Sequence, residues 1–364
     1  MLSKKIKRIV VKLGSRTLTS SENRLDKANM QELVRQVCEL SAMGVKVIVV
    51  TSGAIASGMG LLGLKKRPDA LAALQAIAAI GQNHLMDIYG ELFSARGYRA
   101  AQILVTQEDF NDRTRYLNIK ETLNRLFTYN AIPVINENDT VSTEEIRCGD
   151  NDRLSSLVAD LAEADLLVIL TDVDGLIGED GGVVGIVEEI DGRVSEMVRQ
   201  SRCDISRGGM ATKLEAARRA TEAGIGCVVA NGRAKDAIIR IVNGERLGTF
   251  FRAQEAGLLA RKRWIAFSSR PKGAVMVDNG ARDALAKGKN SLLASGIVGV
   301  RGRFKAKETV SIADPCGKEF GRGVVNYSSE EIEMIKGKRS SDLAKVLGRK
   351  VKDEVVHKDN LVIL

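Results

Sequence analysis

The chain has 364 residues, 44% of them hydrophobic, with two histidines, five cysteines and a formal net charge of +9. That is apolar material enough for a large core in two or more domains, yet no apolar run approaches bilayer-spanning length. Two histidines away from any polar cluster argue against a Ser-His-Asp triad, a Cys-His pair or a His-built zinc site. Scattered cysteines without a C-x-x-C pair give no disulfide or metal framework, which fits a reducing cytoplasm.

The first 15 residues are basic, run straight into a strand pattern and carry no small-residue cleavage site. They read as neither signal peptide nor anchor. Short, continuous, β-branched runs follow at Arg8–Leu13, Lys46–Val50, Ala100–Val105, Ile132–Ile135, Leu166–Leu170 and Gly226–Ala230, the pattern of strands covered on both faces. Between the first two, Met30, Leu33, Val34, Val37 and Leu40 keep helical spacing behind a capping Asp26. This alternation predicts an α/β layer fold with a largely parallel sheet. Ligands in such folds gather beyond the carboxyl ends of the strands. There the sequence places Gly14-Ser15, Thr51-Ser52-Gly53, Asn136–Asp139 and Thr171-Asp172.

The densest polar stretch runs from Ile135 to Ser156. It groups Asn136, Glu137, Asn138 and Asp139 at a strand end, then Asp150-Asn151-Asp152 ahead of a helix marked by Leu154, Leu157, Val158 and Leu161. Acids crowded in this way suit a site for a cation or an ammonium group. One of them can equally serve only as a helix cap or as a favourable charge at the positive helix end.

After Trp264 the pattern changes to short strands at Ala274–Val277, Gly296–Val300, Thr309–Ile312 and Gly323–Val325, with helical patches at Ala281–Ala286 and Ser329–Ile335. A small, mostly β domain is expected. Residues 263–364 hold 20 Lys and Arg against 12 Asp and Glu, so most of the positive charge is here. That suits contact with nucleic acid or merely a solvated surface.

Neither G-x-x-x-x-G-K-[ST] nor G-x-G-x-x-G occurs. Three other segments bring small residues to a strand end or a helix start: Lys12-Leu13-Gly14-Ser15, Thr51-Ser52-Gly53-Ala54 and Gly208-Gly209-Met210-Ala211-Thr212-Lys213. Backbone N–H groups can approach an anion at such places. These segments, together with Pro133–Asp139, Gly149–Asp152 and Thr171–Leu176, resemble in order the amino-acid kinase family. Val277-Asp278-Asn279-Gly280-Ala281, Ser291–Leu293 and Gly296-Ile297 are similar to a PUA domain.

The resemblance implies a three-layer amino-acid-kinase fold over residues 1–262 and a PUA domain over 273–357. It implies ATP-dependent phosphorylation of the side-chain carboxylate of L-glutamate, the first step of proline biosynthesis. A related acyl or phosphate kinase, or an RNA-binding PUA protein, are the alternatives. Lys12, Lys213 and Asp152 would be catalytic. Ser52, Gly53, Asn136, Asp139, Asp150 and Asn151 would hold the amino acid. Lys12, Gly14, Thr171, Asp172, Arg207, Gly208, Gly209, Met210, Ala211, Thr212 and Lys213 would hold ATP. Mg²⁺ would arrive with the nucleotide, without a metal cage of the protein's own. A homo-oligomer and feedback inhibition by proline, sought in Thr140–Gly149, are family expectations; a membrane partner is not, nor is RNA binding by the tail. Two departures stand out: Arg207 replaces the usual Thr before Gly-Gly-Met, and Ile177-Gly178-Glu179-Asp180 replaces an aromatic residue with Asp-Pro on the nucleobase side.

Overall fold

The computed structural model describes residues 6–20, 24–142, 151–200, 209–254, 262, 264–269, 271–287, 290–349 and 351–364. The chain forms two compact units, residues 1–109 with 114–256, and residues 110–113 with 257–364.

The first unit is built on an eight-stranded sheet. Its strands are β1 (Arg8–Leu13), β2 (Lys46–Thr51), β3 (Arg99–Val105), β4 (Ala131–Glu137), β5 (Leu166–Thr171), β6 (Ile186–Val187), β7 (Gly226–Asn231) and β8 (Thr249–Phe251). The spatial order is β3-β4-β2-β1-β5-β7-β8-β6, parallel except where β8 meets β7. The helices in chain order are α1 (Ser15–Leu18), α2 (Lys27–Ala42), α3 (Ala54–Leu61), α4 (Leu71–Ser94), α5 (Gln107–Asn111), α6 (Arg113–Thr128), α7 (Asn151–Leu161), α8 (Gly192–Gln200), α9 (Met210–Glu222) and α10 (Ala237–Val242). The Asp26 side chain caps α2 by accepting from Asn29 N at 3.0 Å.

Register decides what the sheet presents. In β1, Leu13 pairs with Thr51 of β2 on one side and with Leu170 of β5 on the other. Val50 in turn pairs with Ile135 of β4. The four central strands therefore end level, and the residues after them share one edge. Since β2 lies on one flank of β1 and β5 on the other, this edge is the topological switch point where α/β sheets bind ligands.

Strand alternation then sorts the side chains of β1. Ile9, Val11 and Leu13 enter a core with Leu33 and Val37 of α2 and Leu85, Ile88 and Phe93 of α4. Lys12, one residue out of phase, points to the opposite face, and α7 packs against β1. A lysine inside an apolar strand is thereby buried, at 4% exposure.

The second unit has a five-stranded sheet in the order β11-β9-β12-β13-β15 and a two-stranded pair, β10 with β14. These are β9 (Ala274–Val277), β10 (Leu292–Leu293), β11 (Ile297–Arg301), β12 (Thr309–Ala313), β13 (Glu319–Val324), β14 (Glu354–Val356) and β15 (Leu361–Ile363). Helices α11 (Asn279–Ala286), α12 (Ser329–Ile335) and α13 (Leu343–Leu347) accompany them. Val275, Ile312, Val325, Tyr327 and Ile332 centre its core. Ser328 and Glu331 form a reciprocal capping box on α12. The strand expected at Gly323–Val325 runs instead from Glu319 to Val324, because Glu319 and Gly321 pair with β12, and Gly321 also with β15, across residues that lack β-branched bulk.

Candidate active site

Three polar clusters meet at the level strand edge. The first is made of charge. Asp152, in the first turn of α7, has no measurable exposure. Its Oδ1 forms an ion pair with Lys12 Nζ. Its Oδ2 lies 3.1 Å from Lys213 Nζ and accepts from Thr212 Oγ1 at 2.8 Å. Lys213 sits in the first turn of α9 and is 5% exposed. Burial alone would raise the Asp152 pKa, but Lys12 and Lys213 outweigh it, with help from Thr212, and hold the carboxyl below its ordinary value. Among the described residues, two ammonium groups thus share one carboxylate in a site nearly closed to water.

The second cluster is made of amides and begins one residue earlier on the same helix. Asn151 Nδ2 donates to Thr51 O at 2.6 Å, Asn136 Oδ1 at 2.9 Å and Ser52 Oγ at 3.1 Å. Asn136 Oδ1 also accepts from Glu137 N at 2.9 Å, and Asn136 Nδ2 donates to Gln82 Oε1 at 2.8 Å. Ser52, Asn136 and Asn151 are all buried. Gly53 opens α3 in the left-handed region, at φ 103°, where a side chain would be strained. Asp139 is half-buried and lines, with Glu137, Gln82, Asn83 and Gln102, a cavity of about 270 Å³.

The third cluster follows β5. Thr171 Oγ1 donates to Asp172 Oδ1 at 3.1 Å, and Arg16 Nη1 donates to Asp172 Oδ2 at 2.8 Å. Burial works against ionisation of Asp172, yet Arg16 brings its pKa down. Gly14 N donates to Leu170 O at 3.1 Å, tying the turn after β1 to this strand end. Gly209 stands at the N-cap of α9, and Met210, Ala211 and Thr212 follow as its first turn. Ile177–Asp180 belongs to an exposed turn closed by the Ile177–Val183 bridge.

The expected residues Lys12, Asp152, Lys213 and Thr212 thus form one group, and Ser52, Asn136 and Asn151 another. Because Asn151 and Asp152 are consecutive, the two groups are neighbours. Asp150, Arg207 and Gly208 lie outside the described residues, as does most of Thr140–Gly149. Sequence reasoning missed two partnerships. Thr212 bonds the Asp152 carboxylate directly, and Gln82 holds Asn136. The first could have been read from a hydroxyl beside Lys213; the second had only a polar residue among the apolar positions Ala78, Gly81 and Leu85 as its signal. Among the described residues no group of three His, Cys, Asp or Glu side chains could hold a metal ion. No helix among them is long and apolar enough to cross a membrane.

Fold and site together have the character of a phosphoryl-transfer enzyme that relies on lysines. The sequence profile of the amino acid kinase family matches residues 7–231, and that of the PUA domain matches residues 273–347. A glutamate 5-kinase of Caldanaerobacter subterraneus subsp. tengcongensis is 47% identical over 363 residues, 98% of each chain. Those of Thermoanaerobacter pseudethanolicus and Geobacter sulfurreducens are each 44% identical, over 98% of each chain for the former and 99% of this chain and 98% of that one for the latter. A solved UMP kinase from Bacillus anthracis aligns with 70% of this chain and 100% of its own at TM-score 0.47 and 15% identity. The chain belongs to the amino acid kinase family and, within it, to the glutamate 5-kinases.

Proposed function

We propose that this protein transfers the γ-phosphoryl group of ATP to the side-chain carboxylate of L-glutamate, giving L-glutamyl 5-phosphate for proline biosynthesis. The observation that carries this is the junction on α7. Asp152 gathers two buried lysines, and Asn151, the residue before it, belongs to a polar pocket suited to an amino acid.

The acceptor carboxylate is ionised at neutral pH, so the reaction needs no general base. It needs in-line placement and positive charge around the migrating group. Lys12 from β1 and Lys213 from α9 supply that charge from two elements, and lysine suits the task as a compact point charge. Asp152 keeps both ammonium groups in place and, with its low pKa, stays ionised throughout. When the substrates bind, the lysines exchange part of their attraction to Asp152 for the oxygens of the migrating phosphoryl group, over which the transition-state charge is spread.

At the amino-acid end, Asp139 and Asp150 receive the α-ammonium group. Asn151 spends its amide nitrogen on Thr51, Ser52 and Asn136, which leaves its carbonyl oxygen for the same ammonium. Ser52 and the N–H groups at the start of α3 suit the α-carboxylate. Gly53 lets the chain pass close to it. Gly14, Thr171, Asp172 and residues 207–213 form the ATP side, where Arg207 either reaches a phosphate or only takes the place of a hydroxyl contact.

Mg²⁺ fits as a companion of ATP. Asp152 is committed to two lysines and Thr212, so the ion would be carried mainly by the nucleotide's phosphate oxygens and water. It would supply positive charge to the phosphates.

The kinase domain is taken as residues 1–262 and the PUA domain as 273–357, in a cytoplasmic homo-oligomer open to feedback by proline. Turnover with ATP across glutamate, aspartate and UMP tests the assignment. Glutamate alone should support ADP release; turnover with aspartate or UMP and none with glutamate would reject it.

A further inference from the structure

We propose that Gln82 of α4 is a positioning residue for substrate binding, holding the carboxamide of Asn136 and, through it, that of Asn151. The inference rests on the reading of those two amides as glutamate contacts. The direction of the network is fixed by groups that cannot reverse. Glu137 N can only donate, and it donates to Asn136 Oδ1 at 2.9 Å. The other end of the Asn136 amide is therefore the nitrogen, and it reaches Gln82 Oε1 at 2.8 Å. Thr51 O can only accept, and it takes Asn151 Nδ2 at 2.6 Å. Each amide in the series from Gln82 to Asn151 thus has one permitted orientation.

Gln82 makes no use of its amide for its own sake. Its Nε2 is buried without a hydrogen-bond partner among the described residues. The hydrogen bond the structure gives this side chain is the one to Asn136.

Its place on α4 is set by the residue before it. A Cβ at Gly81 would lie 1.9 Å from Ala54 O and 2.3 Å from Gly58 N, and one at Gly58 would lie 2.0 Å from Ile77 O. Helices α3 and α4 therefore meet backbone to backbone beside Gly53, where α3 begins. Gly81 fixes α4 against the helix that follows Ser52, and Gln82 reaches from the same turn to the end of β4. One turn of α4 thus sets the spacing between the two walls of the amino-acid pocket.

The test is steady-state kinetics on the full chain carrying Gln82→Leu, alone and combined with Asn136→Ala. Loss of the bond leaves the buried Asn136 nitrogen unpaired, an effect worth roughly tenfold. The expected result is a rise of about tenfold in KM for glutamate, with kcat and KM for ATP within about twofold. In the Asn136→Ala background Gln82→Leu should change little further, because both substitutions remove the same interaction. Gln82→Asn is one methylene too short to reach; it should show the same shift and replaces Gln82→Leu if that variant does not fold. An unchanged KM for glutamate, an equal rise in both KM values, or full additivity with Asn136→Ala would overturn the role of Gln82. A wild-type enzyme that does not turn over glutamate would instead overturn the reading on which the role depends, and this inference with it.

Discussion

Asp152→Asn removes one negative charge and almost no volume, yet it should be among the most damaging single changes in the chain. The side chains of Lys12, Lys213 and Asp152 are 5%, 6% and 1% exposed, so solvent screens the three charges little. Removing one partner of a buried ion pair costs about 3–5 kcal/mol, because the survivor is left charged in a poorly solvating place. Here two cations lose a shared partner, which puts the expected loss at the upper end of that range. Urea unfolding at pH 7 measures it by linear extrapolation. Far-UV circular dichroism is the signal to follow, since the single tryptophan, Trp264, belongs to the second unit. A dependence on pH provides the control. Asp152 has a lowered folded-state pKa of about 2, against an unfolded value near 3.8. Its stabilisation is complete above the unfolded value and is lost as pH falls through the folded one. The gap between wild type and variant should therefore hold down to about pH 4 and narrow, by roughly 2–3 kcal/mol, as pH falls further toward 2. A loss below about 1 kcal/mol at pH 7, or a gap independent of pH in that window, would mean that the lysines are not held by this carboxylate.

Two further expectations separate the halves of the site. Lys213→Ala should lower kcat by ~10²-fold or more, the scale for losing one preorganised stabiliser of developing charge; near-normal kcat would remove it from the catalytic set. Asp139→Ala should chiefly raise KM for glutamate while sparing ATP, and steady-state titration of each substrate separates this from the reverse assignment.

What the sequence conveyed and what it withheld follow from the range of the interactions. The central strands were readable because they are buried on both faces and spell out their burial in β-branched runs. Arg8–Leu13 is observed with the same bounds, and Lys46–Val50 extends by one residue to Thr51. The cap at Asp26 and the helix carried by Leu154, Leu157, Val158 and Leu161 are local features and appear as read. By contrast β6, β8, β10, β14 and β15 span two or three residues each, too short for any alternation to register, and form only because a neighbouring strand offers its edge. Within the site, the meeting of Lys12 with Asp152 and Lys213 joins positions 140 and 201 residues away. Periodicity carries no such information; family likeness supplied the pairing, and the strand register supplies its physical reason. Gln82 was missed because its role arises from the crossing of α3 and α4 at Gly58 and Gly81, which only three-dimensional contact reveals.

The account stands or falls on where the phosphoryl group goes. Incubation with ATP, Mg²⁺, glutamate and hydroxylamine would trap an acyl phosphate as a stable hydroxamate, and its position on the carbon chain can be read by mass spectrometry. The account predicts a hydroxamate at the side-chain carboxyl, formed in step with ADP and reduced at least ~10²-fold by Lys213→Ala. Trapping at the α-carboxyl, or ADP release without any hydroxamate, would contradict it.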